Sequence, residues 1–378
     1  MEKRQIKGFV ANLNPKKRRN LLLSSISITA LLLFLYFSNE GILMGSYGVR
    51  VLNLCAVYAV LTLSMNLING FTGQFSLGTA GFMAVGAYTT ALLILPVEIK
   101  EKIFYLEPMV PWLKDVHWAG NLGFLGALLT AGVLTAFIAF LIGFPVLRLK
   151  GDYLAIATLG FSEIIRVIFT NMQNLTNGST GIKSIPPIAN MWWTFGVMAF
   201  FTIFMVRLMK TSYGRAFKSI RDDEVAAESM GISLFRHKML SFVLSGFIAG
   251  VGGGLMASVV GAITPIFFRF ILTYDILLIV VLGGMGSITG SIVGAFLITI
   301  AKEWLRWLDG GFSLGFVRIP AIAGMRMVVF SVLLMLVILF YRRGLFGGRE
   351  FSFDWLINSL SALPKRVFSL FKKGGAAK

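Results

Sequence analysis

Four ionisable side chains, Glu163, Arg166, Asp275 and Arg326, fall inside otherwise apolar runs, where charge is costly and so a first candidate for chemistry. Glu163 and Arg166 stand three apart, which on a helix places them on one face where each neutralises the other. That spacing reads as a structural ion pair or as snorkelling toward the outer end of a span. Asp275 and Arg326 lie near the outer ends of their own runs, and no carboxylate stands out at a span centre, where proton-coupled pumps place one. The catalytic inventory is equally thin. His117 and His237 are isolated, the serines form no G-x-S-x-G elbow, and neither H-E-x-x-H nor G-x-x-x-x-G-K-[ST] occurs. No catalytic residue, metal ligand or cofactor is expected, and the chain is not expected to hydrolyse ATP. The sole cysteine, Cys55, sits in an apolar run; it excludes a disulfide within the chain and reads as a small packed hydrophobe.

Two other stretches carry unusual residue types. In GFTGQFSLGTAGFMAVGAY (Gly70–Tyr88), glycines at 70, 73, 78, 81 and 86 alternate with the neutral hydrogen-bonding side chains Thr72, Gln74, Ser76 and Thr79. Irregular backbone within a membrane is tolerated only where protein buries it or a cavity adjoins it. Gly73, Gln74, Ser76 and Gly78 are therefore candidates to line a translocation path, against the plainer reading that small residues merely let helices pack. The second stretch, residues 213–238, is the sizeable charged and helix-prone segment. Its core, RAFKSIRDDEVAAESMG, has acids at Asp222, Asp223 and Glu224, two small residues at Ala226 and Ala227, and a stop at Gly231. Small residues flanked by charge on a short helix form a shape that another protein's groove can cover; an ordinary solvated loop is the alternative.

The elements that must position these residues are membrane spans. Of 378 residues 56% are hydrophobic and 14% charged, whereas soluble domains carry about 25% charged residues. Mean hydropathy is +0.80. Apolar runs long enough for a hydrocarbon core of about 30 Å recur. They predict an all-α bundle of about ten transmembrane helices: Leu21–Phe37, Val51–Ile68, Thr79–Leu95, Leu122–Leu147, Tyr153–Thr170, Met191–Met209, Met239–Ile263, Thr273–Leu282, Ile288–Trp304 and Ile319–Tyr341. The eighth is short and runs into GGMGS, as a broken or re-entrant helix does. Gly246 and Gly250 form a G-x-x-x-G pattern suited to close helix contact, and Gly283, Gly284 and Gly286 should break a helix. The first run follows a basic stretch without a small-x-small cleavage site, so it reads as an uncleaved span.

The net charge of +18 is topological. With ten crossings both termini lie in the cytoplasm and the inside segments hold 24 of the 35 basic residues, as the positive-inside rule requires. The division expected is a basic cytoplasmic tail (1–20), a transmembrane permease domain (21–341) with a cytoplasmic loop at 210–238, and a second basic tail (342–378). Aromatic and basic residues interleave in the second tail, which suits an interfacial helix on anionic lipid, and nucleic acid is not an expected partner.

Five blocks in order, GFTGQFSLGTAGFMAVGAY, RLKGDYLAIATLGFSEIIRVI, LTNGSTGI, YGRAFKSIRDDEVAAESMGI and LGGMGSITGSIVGAF, resemble the LivM-type permease subunits of branched-chain amino acid ABC importers, from about Leu52 to Phe346. The resemblance implies an inner-membrane subunit that forms half of a translocation path for leucine, isoleucine and valine. It also implies a second permease of LivH type, two cytoplasmic ATPases that hydrolyse the ATP, and an extracytoplasmic binding protein. The segment E-V-A-A-E-S-M-G is similar to the family's coupling loop, with Val225 departing from the strict E-A-A spelling. Arg215, Arg221, Glu224, Ala226, Ala227 and Gly231 are the implied ATPase-coupling residues. Thr79, where relatives often carry His, and the long segment 97–120 also depart from the pattern. Permeases for urea and short amides look similar and stay open as an alternative cargo. An ion-coupled carrier using Glu163 or Asp275, or a membrane enzyme, are the readings from other classes.

Overall fold

The computed structural model describes residues 29–350 except 31, 42–43, 106, 150, 307–311, 315–316, 320–323, 341–343 and 348–349. The expected span Leu21–Phe37 falls partly outside these residues, the basic tail 1–20 wholly and the basic tail 342–378 mostly. The chain divides into a body of residues 46–349 and a second unit of residues 1–45 and 350–378, in which 32–39 are helical.

The body is helical. Its principal elements are α1 (Ser46–Asn66), α2 (Thr79–Ile94), α3 (Val97–Ile103), α4 (Gly120–Val146), α5 (Asp152–Asn171) and α6 (Met191–Lys210). They are followed by α7 (Ser212–Asp222), α8 (Glu224–Ser229), α9 (Leu234–Val260), α10 (Phe270–Gly283), α11 (Ile288–Trp304) and α12 (Met325–Phe340). A small antiparallel hairpin pairs Phe312–Leu314 with Val317–Ile319. Among the described residues five helices are long and apolar enough to cross a membrane: α1 with the π-helical turn Leu67–Phe71, α4, α5, α6 and α9. A sixth arises if α2 and α3, bent by 120° at Leu95–Pro96, are taken together. The chain is a multi-pass membrane protein.

Several boundaries differ from the sequence expectation, each for a local reason. The last helix begins at Met325, six residues after the expected Ile319, because Ile319 precedes Pro320 and is held extended as a strand residue. Helix α9 begins at Leu234, five residues before the expected Met239. Arg236, His237 and Lys238 mask it in hydropathy, although a charged first turn is no obstacle to helix formation at an aqueous edge. It ends at Val260, where Gly261 adopts φ +79°, and Ile263 pairs instead with Ile182 in an isolated bridge.

Burial sorts the helices into two roles. In the spanning windows of α1 and α9, 78% and 72% of residues are buried, against 33%, 22% and 28% for α4, α5 and α6. An α-helix apolar on all sides and packed on all sides is an inner helix; α4–α6 turn residues such as Leu129, Phe137, Phe140 and Ile203 outward. Close approach within the core depends on α9. A Cβ on Gly253 would lie 2.1 Å from the Met83 carbonyl of α2, and one on Gly250 would lie 2.4 Å from Thr135 Oγ1 of α4. The expected helix contact through Gly246 and Gly250 is therefore present, with α4 as the partner: a Cβ on Gly246 would meet Ala139 at 2.6 Å. Ser64 and Ser245 exchange hydrogen bonds with each other's carbonyls at 2.8 Å, tying α1 to α9.

The ion pairs stitch helices and segments together. Arg166 pairs with Glu163 at 2.6 Å on α5, as the spacing predicted, and Glu163 also accepts from the Phe270 N–H that starts α10. Asp275 on α10 pairs with Lys302 on α11 at 2.8 Å. Of Arg326 only its place in α12 is described. In the segment after α2, Lys100 is buried and donates to the carbonyls of Leu113 (2.9 Å) and Val116 (2.5 Å), closing the loop 104–118.

Burial holds the Lys100 ammonium below its ordinary 10.5, with the nearby Asp115 charge opposing that shift. Between the lowered value and 10.5 the unfolded segment binds the proton more strongly than the folded one, so stability rises with pH through that window and levels off above 10.5. The neutral amine still offers two N–H donors to the two carbonyls. Hydrogen exchange at residues 97–118 is expected to slow as pH approaches 10.5, after correction for intrinsic rates, and Lys100→Met is expected to remove this trend.

Candidate functional site

The break between α1 and α2 is built from backbone groups that neighbouring helices satisfy. Helix α1 widens into the π turn Leu67–Phe71, and residues 72–78 run irregularly to Thr79. Asn69 clamps this loop by donating to the Ser76 carbonyl (3.3 Å) and accepting from the Ser76 N–H (3.2 Å). Helix α2 has no capping side chain of its own, and helix starts leave N–H groups unpaired. Thr158 of α5 accepts from the Leu77 N–H at 2.9 Å and Thr273 of α10 accepts from the Ala80 N–H at 3.1 Å.

Gln74 donates to Ser241 Oγ (3.0 Å) and to the Lys238 carbonyl (3.3 Å) of α9, while its own carbonyl oxygen is buried without a partner. Gln74 and Ser76 are thus interior hydrogen-bonding residues within this chain. Gly73 and Phe75 reach the surface of the loop instead. Gly78 lies against Thr158 at the edge of a small cleft lined by Phe82, Ile142, Phe161, Ser162 and Phe242.

A second break mirrors the first. Helix α10 stops at Gly283 and α11 starts at Ile288, as the glycines predicted. Gly283 and Gly290 pack so closely that a Cβ on either would lie within 2.3 Å of the other's carbonyl oxygen. Asn66, the last α-helical residue of α1, is fully buried and joins the two breaks: it donates to the Ser287 carbonyl (2.9 Å) and Ser291 Oγ (2.7 Å) and accepts from the Gly286 N–H (2.8 Å). Sequence reasoning missed Asn66. Its signal was an amide within an apolar run, which in a membrane demands a partner.

The charged segment forms two helices. Asp223 adopts an extended conformation after α7 and caps α8, accepting from the Val225 and Ala226 N–H groups at 2.9 and 3.0 Å. Gly231 terminates α8 with φ +84°. Helix α7 buries Gly214, Ala216, Phe217 and Ile220 and leaves Tyr213, Arg215 and Lys218 exposed. Glu224 pairs with Lys238 of α9 at 2.6 Å, which fixes α8 on the bundle.

Of the two alanines, Ala226 is exposed and Ala227 is buried beneath α8. The two therefore lie on different faces of α8. Arg215 is exposed and folds back onto Ser212 Oγ at 2.9 Å and the Lys210 carbonyl at 3.4 Å; Arg221 reaches inward to the Gly70 carbonyl at 3.3 Å. Val225 and Met230, at 75% and 83% exposure, are the apolar side chains that α8 and its cap present outward. In the sequence Val225 stood out only as a departure from the E-A-A spelling and Met230 not at all, because an apolar residue in a charged run reads as core until burial is known.

Residues 47–340, spanning all of these features, match the family described as "Branched-chain amino acid transport system / permease component". The chain belongs to this family. It is 35% identical over 292 residues to the high-affinity branched-chain amino acid transport system permease protein LivM of Escherichia coli K12, covering 68% of this chain and 63% of that protein. It is 27% identical over 309 residues to the probable LivM of Methanocaldococcus jannaschii, covering 76% and 89%. The high-affinity permease protein LivH of E. coli K12 is 24% identical over 291 residues, covering 71% and 86%. The chain thus spans slightly under two thirds of the E. coli LivM relative's length. No solved structure matches it.

Proposed function

We propose that this chain is the LivM-type permease subunit of an ATP-driven importer for leucine, isoleucine and valine, set in a bacterial inner membrane with both termini in the cytoplasm. The match of residues 47–340 to the branched-chain permease family carries this reading. A second permease of LivH type completes the path, two cytoplasmic ATPases drive it and an extracytoplasmic protein delivers substrate. The proposed topology has ten crossings: the apolar run 21–37 and nine helices of the body, including α2, α10, α11 and α12, which are 14 to 17 residues long. The basic tails 1–20 and 342–378 anchor the same face.

In this reading α7 and α8 form the coupling handle. Val225, Ala226 and Met230 enter a groove on an ATPase, Arg215 lies at the rim, Glu224 and Ala227 hold α8 in place and Gly231 ends it. The break at residues 70–78 flanks the path, with Gly73 beside it and Gln74, Ser76 and Gly78 fixing its shape. Two packed helix breaks joined through Asn66 give the bundle an element with discrete arrangements, as alternating access requires.

The test is reconstitution of the chain in vesicles with its second permease, ATPases and binding protein, following leucine uptake. Uptake that needs every partner and ATP is the expected result. Uptake by this chain alone under an ion gradient would overturn the reading, and uptake of urea in place of leucine would change the cargo.

A further inference from the structure

The guanidinium of Arg221 lies where three parts of the chain meet. It is the penultimate residue of α7, yet its Nη1 donates to the Gly70 carbonyl in the π turn of α1, 151 positions earlier. Nε and Nη2 hold Asp222 at 3.0 and 2.8 Å, which orients the side chain from its exposed edge.

Two glycines make room for it, and a third draws the helix breaks together. A Cβ on Gly73 would lie 2.8 Å from Arg221 Cγ, and one on Gly286 would lie 3.0 Å from Nη1; both glycines also adopt left-handed backbone, at φ +73° and +79°. A Cβ on Gly70 would lie 2.5 Å from the Gly286 N–H nitrogen, so both helix breaks close on the same point. From Gly286 the contact continues through Asn66 to Ser287 and Ser291 of α11.

We infer that Arg221 is the strut that carries displacement of the α7–α8 handle into both helix breaks, and so positions the path without gripping the ATPase. The inference rests on the proposed permease function. A rigid planar donor suits this role: the fork fixes direction as well as distance, which an ammonium on a flexible stem does not. All three guanidinium nitrogens of Arg221 are hydrogen-bonded within the chain, to Gly70 and Asp222, although 36% of the side chain remains exposed.

The experiment uses the full complex in vesicles and measures leucine imported per ATP hydrolysed. For Arg221→Ala the ATPases are expected to co-purify as in wild type and hydrolysis to persist, while the import ratio falls on the order of tenfold, the scale of a typical coupling free energy. Arg221→Lys is expected to fall between the two. The exposed Lys102→Ala, outside the handle, is expected to leave the ratio unchanged, and the melting temperature, which a merely structural role would lower, is expected to match wild type in Arg221→Ala. If Arg221→Ala does not assemble, Gly73→Ala serves in its place, since the methyl group displaces the same side chain and is expected to lower the same ratio. An unchanged ratio, or loss of ATPase co-purification on Arg221→Ala in an otherwise stable permease pair, overturns the strut. Wild-type uptake without ATPases would instead overturn the function reading.

Discussion

Replacing Gly253 by leucine is expected to abolish accumulation of the folded protein. Position 253 faces the backbone of α2, where even a methyl group would come within 2.1 Å of the Met83 carbonyl. A backbone atom cannot turn aside as a side-chain tip can, so α2 and α9 must separate. Overpacking a well-filled core costs about 1–3 kcal/mol and at times more, and here the same shift also pulls α9 from α1 and α4. Interhelical hydrogen bonds in membranes average only about 0.6 kcal/mol. The Ser64–Ser245 pair therefore cannot hold the bundle closed against the clash. The measurement is the monodisperse fraction after detergent extraction together with its melting temperature. Gly196→Leu, at a glycine with open space around it, is the control expected to behave as wild type. Equal yield and melting temperature for Gly253→Leu would show that α2 and α9 do not pack as described.

The second large effect separates the two alanines of α8. Ala227→Glu is expected to reduce leucine uptake on the order of tenfold or more by detaching α8. A carboxylate at this buried position would be desolvated, and Lys238 is already held by Glu224. The helix has only six residues and one capping aspartate, so it has little stability of its own to resist the strain. Ala226→Glu places the same charge on the exposed face. It is expected to leave α8 folded and to weaken association with the ATPases. Hydrogen exchange at residues 223–231 distinguishes the cases: faster in Ala227→Glu, unchanged in Ala226→Glu, with uptake low in both. Val225→Glu and Met230→Glu should follow Ala226. If Ala227→Glu kept normal exchange and uptake, the burial of Ala227 would not matter to the handle.

These variants divide along the line between what the sequence carries by itself and what packing adds. Hydropathy set the identity of nearly every helix in the body, because an apolar run must bury its own backbone hydrogen bonds wherever it lies; α11 falls at the expected residues and α2 differs by one. The glycine breaks at 283–286, the pair Glu163–Arg166 and the absence of catalytic motifs were legible for the same reason, since each depends on neighbours a few residues away. The five blocks in order supplied the family.

Tertiary structure decided everything that depends on direction. Sequence placed Ala226 and Ala227 in one surface, yet successive helical residues point about 100° apart, so burial had to assign one outward and one inward. It placed Arg221 with the exposed cations, as it is, but could not show that its Nη1 also donates inward to the Gly70 carbonyl, 151 residues away. Gln74 and Ser76 read as open polar positions, whereas the structure bonds them to Ser241 and Asn69, and Asn66 went unremarked because its partners, at residues 286–291, lie far away in sequence. Local interactions are written in spacing, whereas the partner of a buried polar group is fixed only when separate helices meet.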